Sequence, residues 1–366
     1  MSAALEIARR RLGAQRLVSP PSALPQVIVS RLGAVQAQDY GAAKWGVGLR
    51  GRGLVDADVE RAFNAGEIVR THILRPTWHF VAASDLRWLL QLTAPRVHLV
   101  NGWYYRQAGI DRGVIRRSTV LMESALRGGN FRTRAELGSL LQRGRIDTSN
   151  GTRLGYLLMR AELDGLICSG PLRGKQHTYA LVEERVPHSA MPARDEGLHE
   201  LARRYVMTRG PVTAHDFAWF GGFTVAEARR GLESLGRGVE RLSLDGRDYW
   251  AAGNEHVEPA AARTRMTRTA HLLPNYDEYF IGYRDRGAFL QRLESDRLPM
   301  PTPALERHLI ALGGQFVGGW KRTITRTSVV VALAIVAKLG TQEHQAIARA
   351  VSAYGEFLQL PAEVRP

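Results

Sequence analysis

Two glutamines stand two residues apart in the stretch RLGAVQAQDYGAAKWGVGLR, residues 31–50. In a helix, Gln36 and Gln38 would point to nearly opposite sides, whereas in an extended or turning segment both side chains can face one point. Several glycines follow and let the backbone leave helical geometry, so the pair is predicted to lie where a helix ends. Two amides can fix one water molecule, because each accepts through its oxygen and donates through its NH₂ group. Such a pair would act by positioning and electrostatics. The alternative is a pair that caps the end of a helix.

A second polar set lies in the stretch RTHILRPTWHFV, whose alternation predicts a hairpin turned at Arg75 and the following proline. His72, Arg75, Thr77 and His79 lie close in sequence to Trp78. One interpretation is a cleft for nucleic acid, with stacking and phosphate-binding groups. The other is an ordinary hairpin with one core tryptophan and two histidines that are satisfied inside the protein.

A third set lies in the stretch HLLPNYDEYFIGYRDR, where Asp277 and Glu278 stand between Tyr276 and Tyr279 in a basic chain. The two carboxylates could repel phosphates, polarise a cationic intermediate, or form salt bridges with arginines. Salt bridges are the commonest of these arrangements. Asp39 and Trp45, close to the glutamine pair, are further candidates for a cleft.

Other chemistries have little support in the sequence. It contains no HExxH or CxxC motif and no phosphate-binding glycine loop, so we expect neither a metal nor a cofactor. The single cysteine, Cys168, excludes an internal disulfide and lies in an apolar run typical of a core strand. The longest apolar run, SVVVALAIVAKLG, is too short to cross a bilayer, and no signal peptide is evident. We therefore expect a soluble cytoplasmic protein with no membrane partner.

The elements that must position these residues follow a repeating pattern. Three helical patterns and then two strand patterns predict a winged helix in residues 111–190. Within it, Thr133 and Glu136 have the spacing of a capping box at the start of a helix. The stretch PLRGKQ is predicted to form a basic tip between the two strands. The same order recurs in residues 191–262, with a hairpin turn at Asp245 and Gly246, and more weakly in residues 1–110. Residues 263–366 are richer in strand patterns and end in a closing helix. The predicted fold is a helix-rich α+β protein with tandem winged-helix repeats.

The charge of the chain favours a nucleic-acid partner. The net charge is +15, and 46 arginines but only four lysines supply the positive groups. Arginine suits phosphate oxygens and base edges, and it stacks on aromatic rings. A GC-rich genome would explain the excess of arginine over lysine, but it does not explain why there are only 35 acidic residues. The sequence shows no coiled-coil heptads, so we expect a monomer that holds DNA with several modules.

Four stretches, taken in order, resemble winged-helix DNA glycosylases of the AlkZ/YcaQ type. They are QAQD, THILRPTWHF, LLPNYDEYFIGYRDR and GGQFVGGWKR, and the resemblance covers about residues 7–358. It implies a C-shaped body with a basic concave face that excises bulky alkylated purines and unhooks interstrand crosslinks. It also implies that a glutamine–aliphatic–glutamine motif carries catalysis, which Gln36 and Gln38 match with the smaller Ala37 between them. This form of the motif resembles the branch linked to self-resistance in producers of DNA-alkylating natural products.

These observations lead to one hypothesis. The chain is predicted to be a monofunctional DNA glycosylase that acts on double-stranded DNA with alkylated or crosslinked purines, near the nucleoid. Gln36 and Gln38 are the predicted catalytic residues, and the hairpin residues would line the cleft. The predicted phosphate contacts are Arg173, Lys175, Lys321 and Arg322. The alternative is a winged-helix regulator or architectural protein that binds DNA without chemistry.

Overall fold

The chain is described by a computed structural model over five ranges, which are residues 2–189, 191–244, 246–253, 269–295 and 308–365. The described part is rich in helices and contains four small sheets. This confirms the prediction of a helix-rich α+β protein. The C-shaped body and the assignment of the modules as winged helices remain predictions. None of the described helices is both long and apolar enough to cross a membrane.

The first part of the chain surrounds a three-stranded sheet in the order β1-β3-β2. Its elements are α1 (Ala3–Ala14), α2 (Pro25–Leu32), β1 (Val35–Gln36), α3 (Tyr40–Gly48), α4 (Asp56–Ala65), β2 (Ile68–Ile73), β3 (Thr77–Ala82) and α5 (Ala83–Gln107). The predicted hairpin is confirmed, since β2 pairs antiparallel with β3 and the chain turns between them at residues 74–76. Helix α2 ends before the glutamines, because Gly33 follows it with a φ of +79°, a left-handed value that favours glycine.

The second part has the element order expected of a winged helix. Its elements are α6 (Arg112–Leu126), β4 (Arg132–Thr133), α7 (Arg134–Arg143), α8 (Gly151–Leu163), β5 (Ile167–Ser169), β6 (Thr178–Leu181) and α9 (Val182–Arg185). The capping box is confirmed: Thr133 Oγ1 accepts from the backbone N of Glu136, whose carboxylate accepts from the backbone N of Thr133. The strands form a sheet in the order β4-β6-β5, and the basic tip lies between β5 and β6.

The third part repeats this order with a two-stranded sheet. Its elements are α10 (Arg194–Arg209), α11 (Ala214–Gly221), α12 (Val225–Glu233), β7 (Glu240–Leu244) and β8 (Arg247–Ala251). Helix α11 begins after Thr213, whose side chain accepts from the backbone N of Asp216 and caps the helix. At the predicted turn, Asp245 lies outside the described residues, whereas Gly246 has the positive φ that such turns favour.

The last part is built on a five-stranded sheet in the order β13-β12-β11-β10-β9. Its elements are β9 (Ala270–Leu273), α13 (Glu278–Ile281), α14 (Gln291–Ser295), β10 (His308–Leu312), β11 (Gln315–Ile324), β12 (Val329–Ile335), α15 (Thr341–Leu358) and β13 (Ala362–Arg365). The closing helix is confirmed. The strand-rich pattern predicted for this part does not continue beyond Leu273 of β9, because Asp277 caps a short helix there. The predicted boundary at residue 263 lies outside the described residues.

Candidate active site

The two glutamines lie on an extended segment between α2 and α3. In β1, Gln36 pairs with His79 of β3, and the backbone N of Ala37 donates to the carbonyl of Trp78 over 2.7 Å. Side chains alternate along a strand, so Gln36 and the fully buried Ala37, which packs into the core, point to opposite sides. Gln38 follows at a bend before α3. The prediction that the pair lies after the end of a helix, in an extended or turning segment, is confirmed.

The two amides have different hydrogen-bonding states. Gln36 is buried, and its Oε1 accepts from Arg75 Nη2 over 2.9 Å. Gln38 is half-buried, and its buried Oε1 has no hydrogen-bond partner among the described residues. Arg75 orients the carbonyl of Gln36, so its NH₂ group is available as a donor, whereas Gln38 offers an acceptor. One donor and one acceptor two residues apart can set the orientation of a small polar molecule such as water.

Arg75 is held inside the protein at the turn of the hairpin. Its Nη1 donates to the carbonyls of Trp219 and Phe220 over 2.9 and 3.1 Å. The end of α11 packs closely on this turn, since a Cβ on Gly222 would lie only 2.2 Å from the carbonyl oxygen of Leu74. Burial lowers the pKa of Arg75 to about 10. Its guanidinium is therefore used to orient Gln36, although the sequence suggested a DNA contact.

A buried ion pair supports the backbone of the glutamine motif. Glu278 Oε1 accepts from the backbone N of Gln36 over 2.9 Å, and its Oε2 contacts Arg209 Nη2 over 2.6 Å. Arg209 also donates to the carbonyls of Leu32 and Ala34. The ends of α10 and α13 thus fix the path of the chain between α2 and the glutamines. Arg209 was missed in the sequence, because nothing local separates it from the other 45 arginines.

The neighbouring acidic residue also has a structural partner. Asp277 forms two contacts with Arg50, Oδ1 to Nη2 over 2.8 Å and Oδ2 to Nη1 over 2.9 Å, and both side chains are buried. Of the three interpretations left open for Asp277 and Glu278, the salt bridges are confirmed. Tyr276, which precedes them, has a positive φ of +57°, unusual for a residue with a side chain.

The remaining residues near the motif lie in different environments. Asp39 caps α3 and accepts from Arg322 Nη2 over 3.2 Å, which brings β11 next to the glutamine segment. Trp45 lies in the core, where its Nε1 donates to the carbonyl of Leu272 over 2.6 Å and its ring packs on α15. Asp39 is therefore next to the glutamine segment, whereas Trp45 is buried between β9 and α15.

The polar residues of the hairpin are divided between its two faces. His72 pairs with Trp78 in the register, their ring centroids are 4.4 Å apart, and His72 Nδ1 contacts the buried carboxylate of Glu162 on α8. Thr77 and His79 lie on the opposite face with Gln36. His79 is completely buried, and burial and then the charge of Arg75 lower its pKa well below the usual value. The structure therefore does not bring these residues together as one cleft lining.

The predicted phosphate contacts also differ from one another. Lys175 at the tip between β5 and β6 and Lys321 on β11 are exposed, and neither has an ion-pair partner in the described ranges. Arg173 is exposed but contacts Glu136 Oε1 over 2.8 Å, and Arg322 is half-buried against Asp39. The two lysines are therefore the members of this set that are free to bind phosphate.

We expect binding to duplex DNA to depend strongly on salt. The logarithm of the binding constant should fall by about 0.9 for each phosphate neutralised as the logarithm of the salt concentration rises. Lys321→Ala should lower this slope by about one phosphate equivalent. Fluorescence anisotropy at several salt concentrations measures both values. Affinity that does not change between low and physiological salt would contradict a basic DNA-binding surface.

The described residues offer no alternative catalytic centre based on a metal, since none of the described ranges contains three His, Cys, Asp or Glu side chains grouped to hold an ion. A basic, helix-rich fold with paired amides on an extended segment fits a DNA-processing enzyme that acts by positioning. A family model described as "DNA glycosylase AlkZ-like" matches residues 29–357. The chain therefore belongs to the AlkZ-like DNA glycosylases and is a DNA glycosylase.

Two further comparisons agree with this family. The chain is 24% identical over 318 residues to a protein of Streptomyces sahachiroi named "Interstrand DNA cross-link repair glycosylase". The aligned region covers 84% of this chain and 85% of that protein. The fold is similar to the solved structure of the Streptomyces sahachiroi DNA glycosylase AlkZ, with a TM-score of 0.78 over 100% of both chains and 22% identity.

Proposed function

We propose that the chain hydrolyses the N-glycosidic bond of N7- or N3-alkylated purines in double-stranded DNA, including purines in interstrand crosslinks, and leaves an abasic site. The observation that carries this proposal is the state of the two amides. The carbonyl of Gln36 is held by Arg75, and the buried oxygen of Gln38, two residues further along, lacks a partner among the described residues. Together they offer one donor and one acceptor to a water molecule.

Paired amides suit this reaction because the leaving group is already activated. Alkylation at N7 or N3 makes a purine cationic, and its glycosidic bond then breaks without protonation by the enzyme. What remains is to place water beside the anomeric carbon and to stabilise the oxocarbenium charge that develops there. The amide oxygen of Gln38 would accept from the water, and the fixed amide of Gln36 would restrict its position.

The crosslink part of the proposal rests on the substrate size and on the similar protein named for cross-link repair. A base that is joined to the opposite strand cannot be turned into a narrow pocket. An open cleft between modules would accept it.

We propose the division into modules 1–110, 111–190, 191–262 and 263–366, with Lys175 and Lys321 as phosphate contacts. The protein would act as a monomer on nucleoid DNA in the cytoplasm, in DNA repair or in self-resistance to a DNA-alkylating natural product.

A duplex with one N7-methylguanine tests the activity. Incubation with the protein should release free N7-methylguanine and leave an abasic site that alkali cleaves, as seen by mass spectrometry and denaturing electrophoresis. An unmodified duplex is the control and should remain intact. DNA binding without base release would support the alternative of a regulator or architectural protein, which family membership does not favour.

We expect no covalent intermediate with the enzyme. A lyase needs an amine nucleophile, and Lys44, the lysine nearest to the glutamines in sequence, donates to Asp56 Oδ2 over 2.7 Å and to Glu60 Oε2 over 2.9 Å. Borohydride added during the reaction should therefore trap no adduct. A terminal amine is the other candidate nucleophile, and the same assay tests it. A trapped adduct that disappears in Lys44→Ala would contradict the water mechanism.

A further inference from the structure

A row of buried polar side chains lies beside the glutamine pair. In the three-stranded sheet, His79 of β3 is paired with Gln36 of β1 on one side and with Thr71 of β2 on the other. Partners in antiparallel strands face the same side of the sheet, with Cβ atoms about 5 Å apart. His79 and Thr71 are both fully buried. The side chains of Gln36, His79 and Thr71 therefore form one row on the same face of the sheet.

The protonation of His79 is fixed by the backbone. Its Nδ1 lies 2.9 Å from the carbonyl oxygen of Thr77. A carbonyl oxygen only accepts, so Nδ1 carries the proton and Nε2 of the neutral ring is an acceptor. Burial keeps the ring neutral, because it lowers the pKa of His79 well below its usual value. His79 thus presents a lone pair at Nε2.

Four buried polar atoms in this sheet and in the segment that follows β1 have no hydrogen-bond partner among the described residues. They are His79 Nε2, Thr71 Oγ1, Thr77 Oγ1 and Gln38 Oε1. Buried polar groups in native proteins are nearly always paired, with protein or with ordered water. Three of these atoms, from His79, Thr71 and Thr77, share one sheet face by register, and they indicate a polar site that accommodates an ordered water. Gln36 belongs to the same row, and its NH₂ group is a donor, while its carbonyl oxygen accepts from Arg75.

We propose that His79 is a positioning residue for the glutamine pair, and that its Nε2, with Thr71 and a buried water, holds the NH₂ group of Gln36 in its catalytic orientation. This inference rests on the proposed function. His79 is fully buried and therefore acts on the reaction through Gln36 and not by contact with DNA. Arg75 fixes one end of the Gln36 amide, and the His79 row fixes the other.

Two matched variants test the inference in single-turnover excision of N7-methylguanine. His79→Phe keeps a ring of similar size but removes the acceptor, and we expect the rate to fall about 10- to 100-fold, as for other residues that orient a catalytic group. The affinity for DNA should not change. His271→Phe is the control, because His271 is also buried, contacts the carbonyl of Leu17 through Nε2 and has an unpaired Nδ1, but lies on β9. Its rate should equal that of the wild type.

Two further variants separate positioning from damage to the fold. In a Gln36→Ala background, His79→Phe should lower the rate by less than about twofold, because residues that act through one another are not additive. Thr71→Val removes one hydroxyl with little change in shape and should slow the reaction even if His79→Phe does not fold. A wild-type rate in both His79→Phe and Thr71→Val, or a full additional loss in the Gln36→Ala background, would overturn the inference. A wild-type protein that excises nothing would instead refute the proposed function.

Discussion

Replacing Gln38 with alanine should lower the single-turnover rate of N7-methylguanine excision by about 10²- to 10³-fold, the range seen when one preorganised polar group is removed from an active site. The reason is that Gln38 Oε1 is buried and has no partner among the described residues, so the acceptor is available to the attacking water. The affinity for DNA should change little, since the amide acts mainly in the transition state. Rapid-quench kinetics and anisotropy measure the two quantities separately.

Gln26→Ala is a matched control for this variant. Gln26 on α2 is also half-buried and also has an unpaired buried Oε1, but it lies outside the β1 segment. Its removal should leave the rate unchanged. Gln36→Ala should slow excision as Gln38→Ala does, and the double variant should lose less than the sum of the two if both amides hold one water. Wild-type rates in both single variants would contradict a catalytic role and would favour the alternative, in which the glutamines only cap the end of a helix.

Replacing Glu278 with glutamine should lower the free energy of unfolding by about 3–5 kcal/mol, because one partner of a fully buried ion pair is lost and Arg209 keeps an uncompensated charge. The same change weakens the acceptor for the backbone N of Gln36, so excision should also slow. Urea unfolding followed by circular dichroism measures the stability, and the excision assay measures the rate.

An exposed ion pair provides the comparison. Arg230 contacts Asp195 over 3.1 Å, and both side chains are more than half exposed. Arg230→Gln should cost less than about 1 kcal/mol, because exposed pairs are solvated in both states. Equal stability losses in Glu278→Gln and Arg230→Gln would contradict the structural role assigned to the buried pair.

Much of the local structure was predictable because it depends on residues that are close together in the sequence. The capping box at Thr133, the hairpin around Arg75 and the closing helix each follow from a spacing of a few positions, and each is confirmed. Helix α5 was not predicted. Its first half is buried on several sides and its second half is exposed, so no single apolar stripe marks it. Helix α13 is only four residues long, too short to show a period.

The two glutamines of the candidate site were predictable from the sequence, but the residues that hold them in place were not. The break after α2 follows from local sequence, and it places Gln36 and Gln38 in the non-helical segment before α3. The partners of Gln36 come from far along the chain, since Glu278 is 242 residues away. The sequence also could not tell which arginine is used internally. Arg75 orients an amide and Arg322 contacts Asp39, while the exposed Lys175 keeps no partner in the described residues. Such assignments depend on tertiary contacts, which spacing alone does not encode.

A duplex with a single N7–N7 guanine crosslink tests the central claim most directly. It should be incubated with the wild type, Gln38→Ala and Gln26→Ala, and then separated by denaturing electrophoresis. The wild type and Gln26→Ala should convert the crosslinked duplex into two separate strands, one with an alkali-labile abasic site, and Gln38→Ala should leave it joined over the same time. A crosslinked duplex that remains joined with the wild type, or that Gln38→Ala resolves at the wild-type rate, would contradict this account.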